Sequence, residues 1–261
     1  MKQAVLVIWQ HRKMLWATTM ADIRSRYAGS VLGLSWLILY PALLLATYSI
    51  VYGFIFRVRL GMDISEYILM IFAGLIPFLG ISESLSSSVV SVTANSALVK
   101  NTLYPIEIIP VKAVLASQCT GIVGMALFIV ALVLFGHLSW WILLVFPIWF
   151  FQILFCIGIA WIISSLQVII EDMKNVITII IMVLMMLSPI AYTTDMVSGE
   201  IKLLLLFNPL YYFISAYRDC LLQGCFPRGY VFWALAAFSL IVYWGGYVFF
   251  SKMKQLFDDE L

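Results

Sequence analysis

Residues 31–56 read VLGLSWLILYPALLLATYSIVYGFIF, 26 consecutive positions without a charge. A helix rises about 1.5 Å per residue and a bilayer's hydrocarbon core is about 30 Å thick, so about 20 apolar residues make one crossing. This stretch is therefore long enough to span, with Pro41 inside it. The same ruler gives further spans over 67–92, 111–135, 140–168 and 231–250. A shorter one over 176–192 is rich in methionine (Met182, Met185, Met186). The runs are continuously apolar and too long for strands, and they lack the alternation of outer-membrane barrels. Composition agrees: 64% of the 261 residues are hydrophobic and 11% are charged, where soluble domains average about 25% charged. A soluble domain is excluded, and so is disorder, which needs low hydrophobicity. The predicted fold is an all-α integral membrane domain, 1–261, with six transmembrane helices.

Segment 201–222 does not fit the ruler. Lys202, Asn208-Pro209, Arg218 and Asp219 interrupt its apolar runs, and intramembrane charge is expensive. Non-helical backbone at membrane depth is tolerated where protein or water surrounds it. The reading is a re-entrant helical hairpin, two half-helices hinged near Asn208-Pro209 that return to the side they came from. A seventh, distorted span is the alternative. With six spans, Lys2, Arg12, Lys13, Arg24, Arg26, Lys100, Lys112, Lys174, Lys252 and Lys254 face one side, and Arg57, Arg59, Lys202, Arg218 and Arg228 the other. The excess of basic residues marks the cytoplasmic side, so both termini are expected there.

The first 28 residues are cut by His11-Arg12-Lys13 and form neither a signal peptide nor a span. Trp9, Trp16, Met20, Ile23 and Tyr27 fall on one helical face, which predicts an amphipathic helix in the cytoplasmic interface.

Catalytic signatures are missing. The chain has no phosphate-binding loop and no His-Glu-x-x-His. Gly80-Ile81-Ser82-Glu83 lacks the closing glycine of a nucleophile elbow. His11 and His137 are too few for a metal cluster, and the net charge of +2 suggests no nucleic acid. No catalytic, cofactor-binding or metal-ligating residue is therefore assigned. Glu171-Asp172 reads as a solvated turn capping the fifth span, and Cys220 and Cys225 as unpaired buried thiols, with oxidation on the outer side as the alternative.

Glu83 is the one ionisable residue deep in a span, and Ser82, Ser84, Ser86, Ser87, Ser88 and Ser91 surround it. Small hydroxyl residues permit close helix packing, so this set either packs the second helix or lines a polar cavity. Tyr40, Tyr48 and Tyr52 recur on one side of the first span, and Tyr192, Tyr211 and Tyr212 are expected to gather at the outer mouth. Such rings combine an apolar face with a hydrogen-bonding tip, as sugar binding requires. With Glu83 they form the candidate substrate path, against belt and packing roles for the same tyrosines.

The run Arg24-Ser25-Arg26-Tyr27-Ala28-Gly29-Ser30-Val31-Leu32-Gly33, followed by Trp36 and Pro41, resembles the permeases of ABC exporters for lipid-linked polysaccharides. These are the exporters of O-antigen, capsule and teichoic acid. Gly74-Leu75-Ile76-Pro77-Phe78, Asn95-Ser96-Ala97-Leu98-Val99-Lys100 with Tyr104-Pro105, Glu107 and Pro110, Ser188-Pro189-Ile190-Ala191-Tyr192 and Asn208-Pro209-Leu210 agree in order over essentially the whole chain. The resemblance implies a homodimer in the bacterial inner membrane, exporting an undecaprenyl-diphosphate-linked glycan. It implies a separate cytoplasmic ATP-binding-cassette subunit, which would hold ATP and Mg, with no cofactor on this chain. It gives the loop 95–107 the role of coupling to that ATPase through Asn95, Leu98, Lys100, Asn101, Tyr104, Pro105 and Glu107, with Arg24 and Arg26 close by. Proline disfavours helix in the residue before it, so Tyr104 is expected to end a short helix beginning near Asn95. A proton-coupled transporter using Glu83, or a membrane enzyme of lipid or glycan assembly, is the alternative at this point.

Overall fold

A computed structural model describes residues 2–26, 28–55, 63–96, 104–197 and 199–257. Among them all regular structure is helical. Helices α1 (Lys2–Gln10) and α2 (Arg12–Arg26) precede α3 (Trp36–Tyr48), which continues as a π-helical stretch, Ser49–Ile55. α4 (Ile64–Val89) is followed by the single turn α5 (Ser91–Ala94). Then come α6 (Ile108–Leu134), α7 (Val145–Ile169) and α8 (Met173–Leu187). The chain ends in α9 (Gly199–Phe207), α10 (Pro209–Leu221) and α11 (Gly229–Met253).

Among the described residues, five stretches are long and apolar enough to cross a membrane: Gly33–Tyr52, Ile64–Val89, Ile108–Leu134, Trp140–Ile169 and Gly229–Leu256. The chain is a multi-pass membrane protein. α8 is apolar but has 15 residues, about 22 Å at the helical rise. It stops at Leu187 and not at 192, because Pro189 holds Ser188 extended, at φ −82° and ψ 142°.

α4 is the hub. Of its most apolar window 72% is buried, against 11% for the span that contains α3, and it packs on α6, α7, α8 and α10. The other extensive contact joins α7 to α11. There Gly158 and Gly246 lie backbone to backbone. A Cβ at Gly158 would collide with the Val242 carbonyl, and one at Gly246 with the carbonyl of Gly158. Lipid tails are as apolar as leucine, so in a membrane such close van der Waals approach replaces hydrophobic drive as the force joining helices.

The bundle has two distinct ends. At one, α2, the end of α4, the start of α6 and the end of α11 meet through ion pairs. At the other, α10 is fastened across the start of α4. Arg218 donates to the carbonyls of Met70 (3.3 Å), Ile190 (2.7 Å) and Tyr192 (3.1 Å), and Gly74 leaves room, since a Cβ there would lie 3.3 Å from Arg218 Nη2. Asp219 Oδ2 accepts from the Arg228 N–H (3.1 Å) at the start of α11. Two of the charges that interrupt 201–222 are thus used inside the protein. Asn208-Pro209 is a helix start. Asn208 Oδ1 accepts from the Leu210 N–H, Pro209 occupies the first turn, and Asn208 Nδ2 donates to Ser188 Oγ (3.0 Å).

Two expectations need correction. Trp16 and Ile23, seven residues apart in α2, share a side as their spacing predicts, but that side does not face outward throughout: Trp9 and Trp16 are 67% exposed while Leu15, Thr19 and Ile23 are buried. Protein covers this side at Ile23, while the two tryptophans stand exposed, as residues that insert into a membrane interface do; Tyr27 lies outside the described residues. Asp172 makes no side-chain cap for α8. Gln167 closes that turn instead, accepting from the Lys174 N–H (2.7 Å) and donating to the Glu171 carbonyl (2.8 Å). Cys220 and Cys225 are free, the first buried and the second half-buried.

Candidate functional site

α3, α4 and α8 enclose a cleft of about 570 Å³, to which α6 adds Thr120. Trp36, Tyr40 and Leu44 come from α3, Ser82, Glu83 and Ser86 from α4, and Ile181 and Met185 from α8. A smaller cavity of about 60 Å³ lies beside it, lined by Tyr48, Tyr52 and Tyr192, and Met185 borders both. Trp36, Tyr40, Leu44, Tyr48 and Tyr52 follow one another at intervals of four, the spacing of neighbours along one helical face. The Tyr48 and Tyr52 rings stack at 5.6 Å. One wall of α3 thus runs from the neighbourhood of a carboxylate to that of Tyr192.

Both readings of the serine-rich stretch hold, for different faces of α4. Ser84, Ser88 and Ser91 are buried. Ser84 Oγ lies 2.8 Å from Ser117 Oγ of α6, and Ser87 donates to the Ala113 carbonyl. Ser82 and Ser86 face the cleft with Glu83.

Glu83 is neither alone nor sealed off. Arg26 Nη1 approaches its Oε1 at 3.4 Å, and the carboxylate side chain is 28% exposed. Arg26 Nη2 also reaches Asp22 (3.4 Å), and Lys112 reaches Asp22 (3.6 Å) and Asn95 Oδ1 (3.4 Å). These distances exceed the roughly 2.7–2.9 Å of a tight charge-assisted bond. The result is a loose mesh that ties α2 to α4 and α6.

The expected outer cluster of tyrosines is not one cluster. Tyr192 belongs with Tyr48 and Tyr52. Tyr211 lines another cavity, of about 290 Å³, with Arg228 and Tyr230, and Tyr212 donates to the Leu206 carbonyl (2.9 Å). The cause is the helix start at Pro209, which turns these two side chains along α9 and not toward α3.

Of the expected coupling residues, Leu98, Lys100 and Asn101 lie outside the described residues, as does most of the short helix expected to end at Tyr104. Arg24 is exposed. Asn95 follows α5, donating to the Ser91 carbonyl (2.8 Å). Tyr104 is half-buried near Thr18 and Asp22 of α2, and burial pushes its phenol above the ordinary value; among the described residues its buried hydroxyl has no hydrogen-bond partner. The Pro105 carbonyl accepts from the Ile108 N–H (3.0 Å), opening α6. Glu107 is buried and paired with Lys254.

The sequence reading missed a polar network at the heart of the bundle. Gln118 Nε2 donates to Ser84 Oγ (2.7 Å) and to the Gly80 carbonyl (3.2 Å), while its Oε1 accepts from Trp149 Nε1 (2.9 Å). Gln152 Nε2 donates to the Pro77 carbonyl (3.3 Å), and its Oε1 accepts from the Tyr217 hydroxyl (3.0 Å). The signal was two glutamines inside apolar runs.

A family model described as ABC-2 type transporter matches residues 13–222. The chain belongs to that family. It is similar to the O-antigen export system permease protein RfbA of Klebsiella pneumoniae, 28% identical over 253 residues and 95% of each chain. It is also similar to RfbA of Myxococcus xanthus, 22% identical over 264 residues and the whole of both chains. The polysialic acid transport protein KpsM of Escherichia coli is 25% identical over 242 residues, 92% of this chain and 93% of that one. Of the classes left open by the residues alone, ABC-2 membership selects a transporter. The match takes in the cleft helices α3, α4 and α8 and ends one residue after α10.

Proposed function

We propose that this chain is the permease of an ATP-driven exporter of undecaprenyl-diphosphate-linked polysaccharide, of the O-antigen or capsule type, in a bacterial inner membrane. It works as a homodimer with a separate ATP-binding-cassette ATPase, which holds ATP and Mg, while this chain catalyses nothing. The cleft between α3, α4 and α8 is the observation that carries the reading. It pairs a carboxylate and two serines with a file of aromatic rings, a surface suited to a hydrated sugar chain with apolar faces.

Topology follows from the two ends of the bundle. The end carrying the ion pairs is cytoplasmic, in line with its excess of lysine and arginine. α8 then makes the fifth of six crossings, and α9–α10 is a re-entrant hairpin on the outer side. The dimer follows from the cleft. A carboxylate and hydroxyls in an otherwise apolar cleft belong against protein or water, and α3 and α8 leave Tyr40, Leu43, Ile179, Val183 and Met186 exposed. A second copy laid over these helices closes the cleft into an aqueous path. The segment 95–107, flanked by Arg24 and Arg26, is the ATPase docking site.

Ser86 is exposed in the cleft, so Ser86→Trp fills it without disturbing the buried serines. Expected are normal membrane insertion, normal co-purification of the ATPase and a near-complete loss of surface glycan. Wild-type glycan export in this variant would remove the cleft from the path.

A further inference from the structure

Glu107 is a joint between three helices. It stands at the N-terminal boundary of α6, and its backbone carbonyl accepts from Trp161 Nε1 of α7 (3.0 Å). Its carboxylate is paired with Lys254, the residue that follows α11. The Glu107 side chain is only 11% exposed, so it is turned into the protein and is not displayed to a partner.

Trp161 is fully buried, and its ring lies 5.1 Å from Tyr243 and 5.4 Å from Tyr247, both on α11. With the backbone contact of Gly158 and Gly246, this makes α7 and α11 one stiff unit. No residue of that unit lines the cleft, whose walls come from α3, α4, α6 and α8. The earlier part of the same loop is held elsewhere, Asn95 bonding to Ser91 and to Lys112. A displacement at 104–107 therefore enters α6 along the chain and α7–α11 through Trp161 and Lys254, while one at Asn95 enters only α4 and α6.

We infer that the Lys254–Glu107 pair is the joint through which movement of the docked ATPase passes into the α7–α11 unit, so that this unit shifts against the cleft helices. This rests on the proposal that 95–107 is the docking site. Lys254 acts through Glu107 and is a positioning residue. A pair with one buried partner is sensitive to the loss of the other, because the remaining charge is left uncompensated.

The experiment uses the complete permease–ATPase complex in vesicles and measures glycan exported per ATP hydrolysed. Lys254→Met is expected to co-purify the ATPase and to hydrolyse ATP at the wild-type basal rate, while export per ATP falls about tenfold, within the range of linked sites. The reversed pair, Glu107→Lys with Lys254→Glu, is expected to restore most of the ratio, which a merely structural role would not do. An unchanged ratio in Lys254→Met overturns the joint. So does loss of the ATPase from that variant, which would place the pair in the docking surface, or a reversed pair no better than the single variant. If Lys254→Met fails to insert, Lys254→Arg is expected to couple like the wild type and Lys254→Gln is not; equal ratios for these two overturn the joint. A wild-type permease that captures no ATPase would instead overturn the proposed function, and the joint with it.

Discussion

Gly245 and Gly246 are neighbours in α11, and exchanging each for alanine in turn tests the α7–α11 contact with an internal control. A Cβ at Gly245 meets nothing within 4 Å, whereas one at Gly246 runs into the Gly158 carbonyl, carbon and Cα. Gly245→Ala gains helix propensity, up to about 1 kcal/mol. Gly246→Ala overpacks a contact, which costs about 1–3 kcal/mol. Its cost belongs at the upper end, since the obstacle is backbone and cannot rotate away. The propensity gain is common to both alanines, so they differ by the overpacking cost, roughly 3 kcal/mol, which is roughly 10 °C in midpoint for a chain of this size. Thermal unfolding of the purified permease, followed by monodispersity in detergent, reads the gap directly. Gly245→Ala should melt at or above the wild type and Gly246→Ala well below it. Equal midpoints, or a more stable Gly246→Ala, would refute a backbone-to-backbone contact between α7 and α11.

Two further outcomes follow from the buried polar groups. Gln118→Leu leaves the Trp149 indole N–H and the Ser84 hydroxyl without their amide partner, at a cost of about 1–3 kcal/mol; adding Trp149→Phe should recover part of it in the same melting assay. Asn208→Ala removes the cap of α10 and should cost about 1 kcal/mol, with Asn208→Ser close to wild type, and it should increase proteolysis between α9 and α10.

Spans were legible because length and apolarity alone fix a membrane helix, and the observed helices begin and end within a few residues of the expected bounds. The exception, α8, was drawn too long because the apolar run passes through Pro189 while the helix does not. The placement of the tyrosines was legible in part. Tyr40, Tyr48 and Tyr52 kept the face that their spacing predicted, since a single helix sets it. Tyr211 and Tyr212 did not join them, because their direction depends on where α10 starts in space. Contacts between distant segments left the faintest trace. Nothing in Gly158, Gly246 or Lys254 read alone announces a partner about a hundred residues away, and Lys254 counted only toward topology. Gln118 and Gln152 were visible as polar residues in apolar runs, but their partners are carbonyls and hydroxyls of another helix, which no spacing rule encodes.

The central claim is that the cleft between α3, α4 and α8 carries water and substrate, and thiol labelling at Ser86 tests it most directly. In the assembled exporter, Ser86→Cys should react with a membrane-impermeant maleimide and be protected when lipid-linked glycan is present. Ile122→Cys, exposed on α6 at another cavity, should not react under either condition. A Ser86→Cys thiol that stays unreactive, or one whose labelling ignores the glycan, would contradict the account.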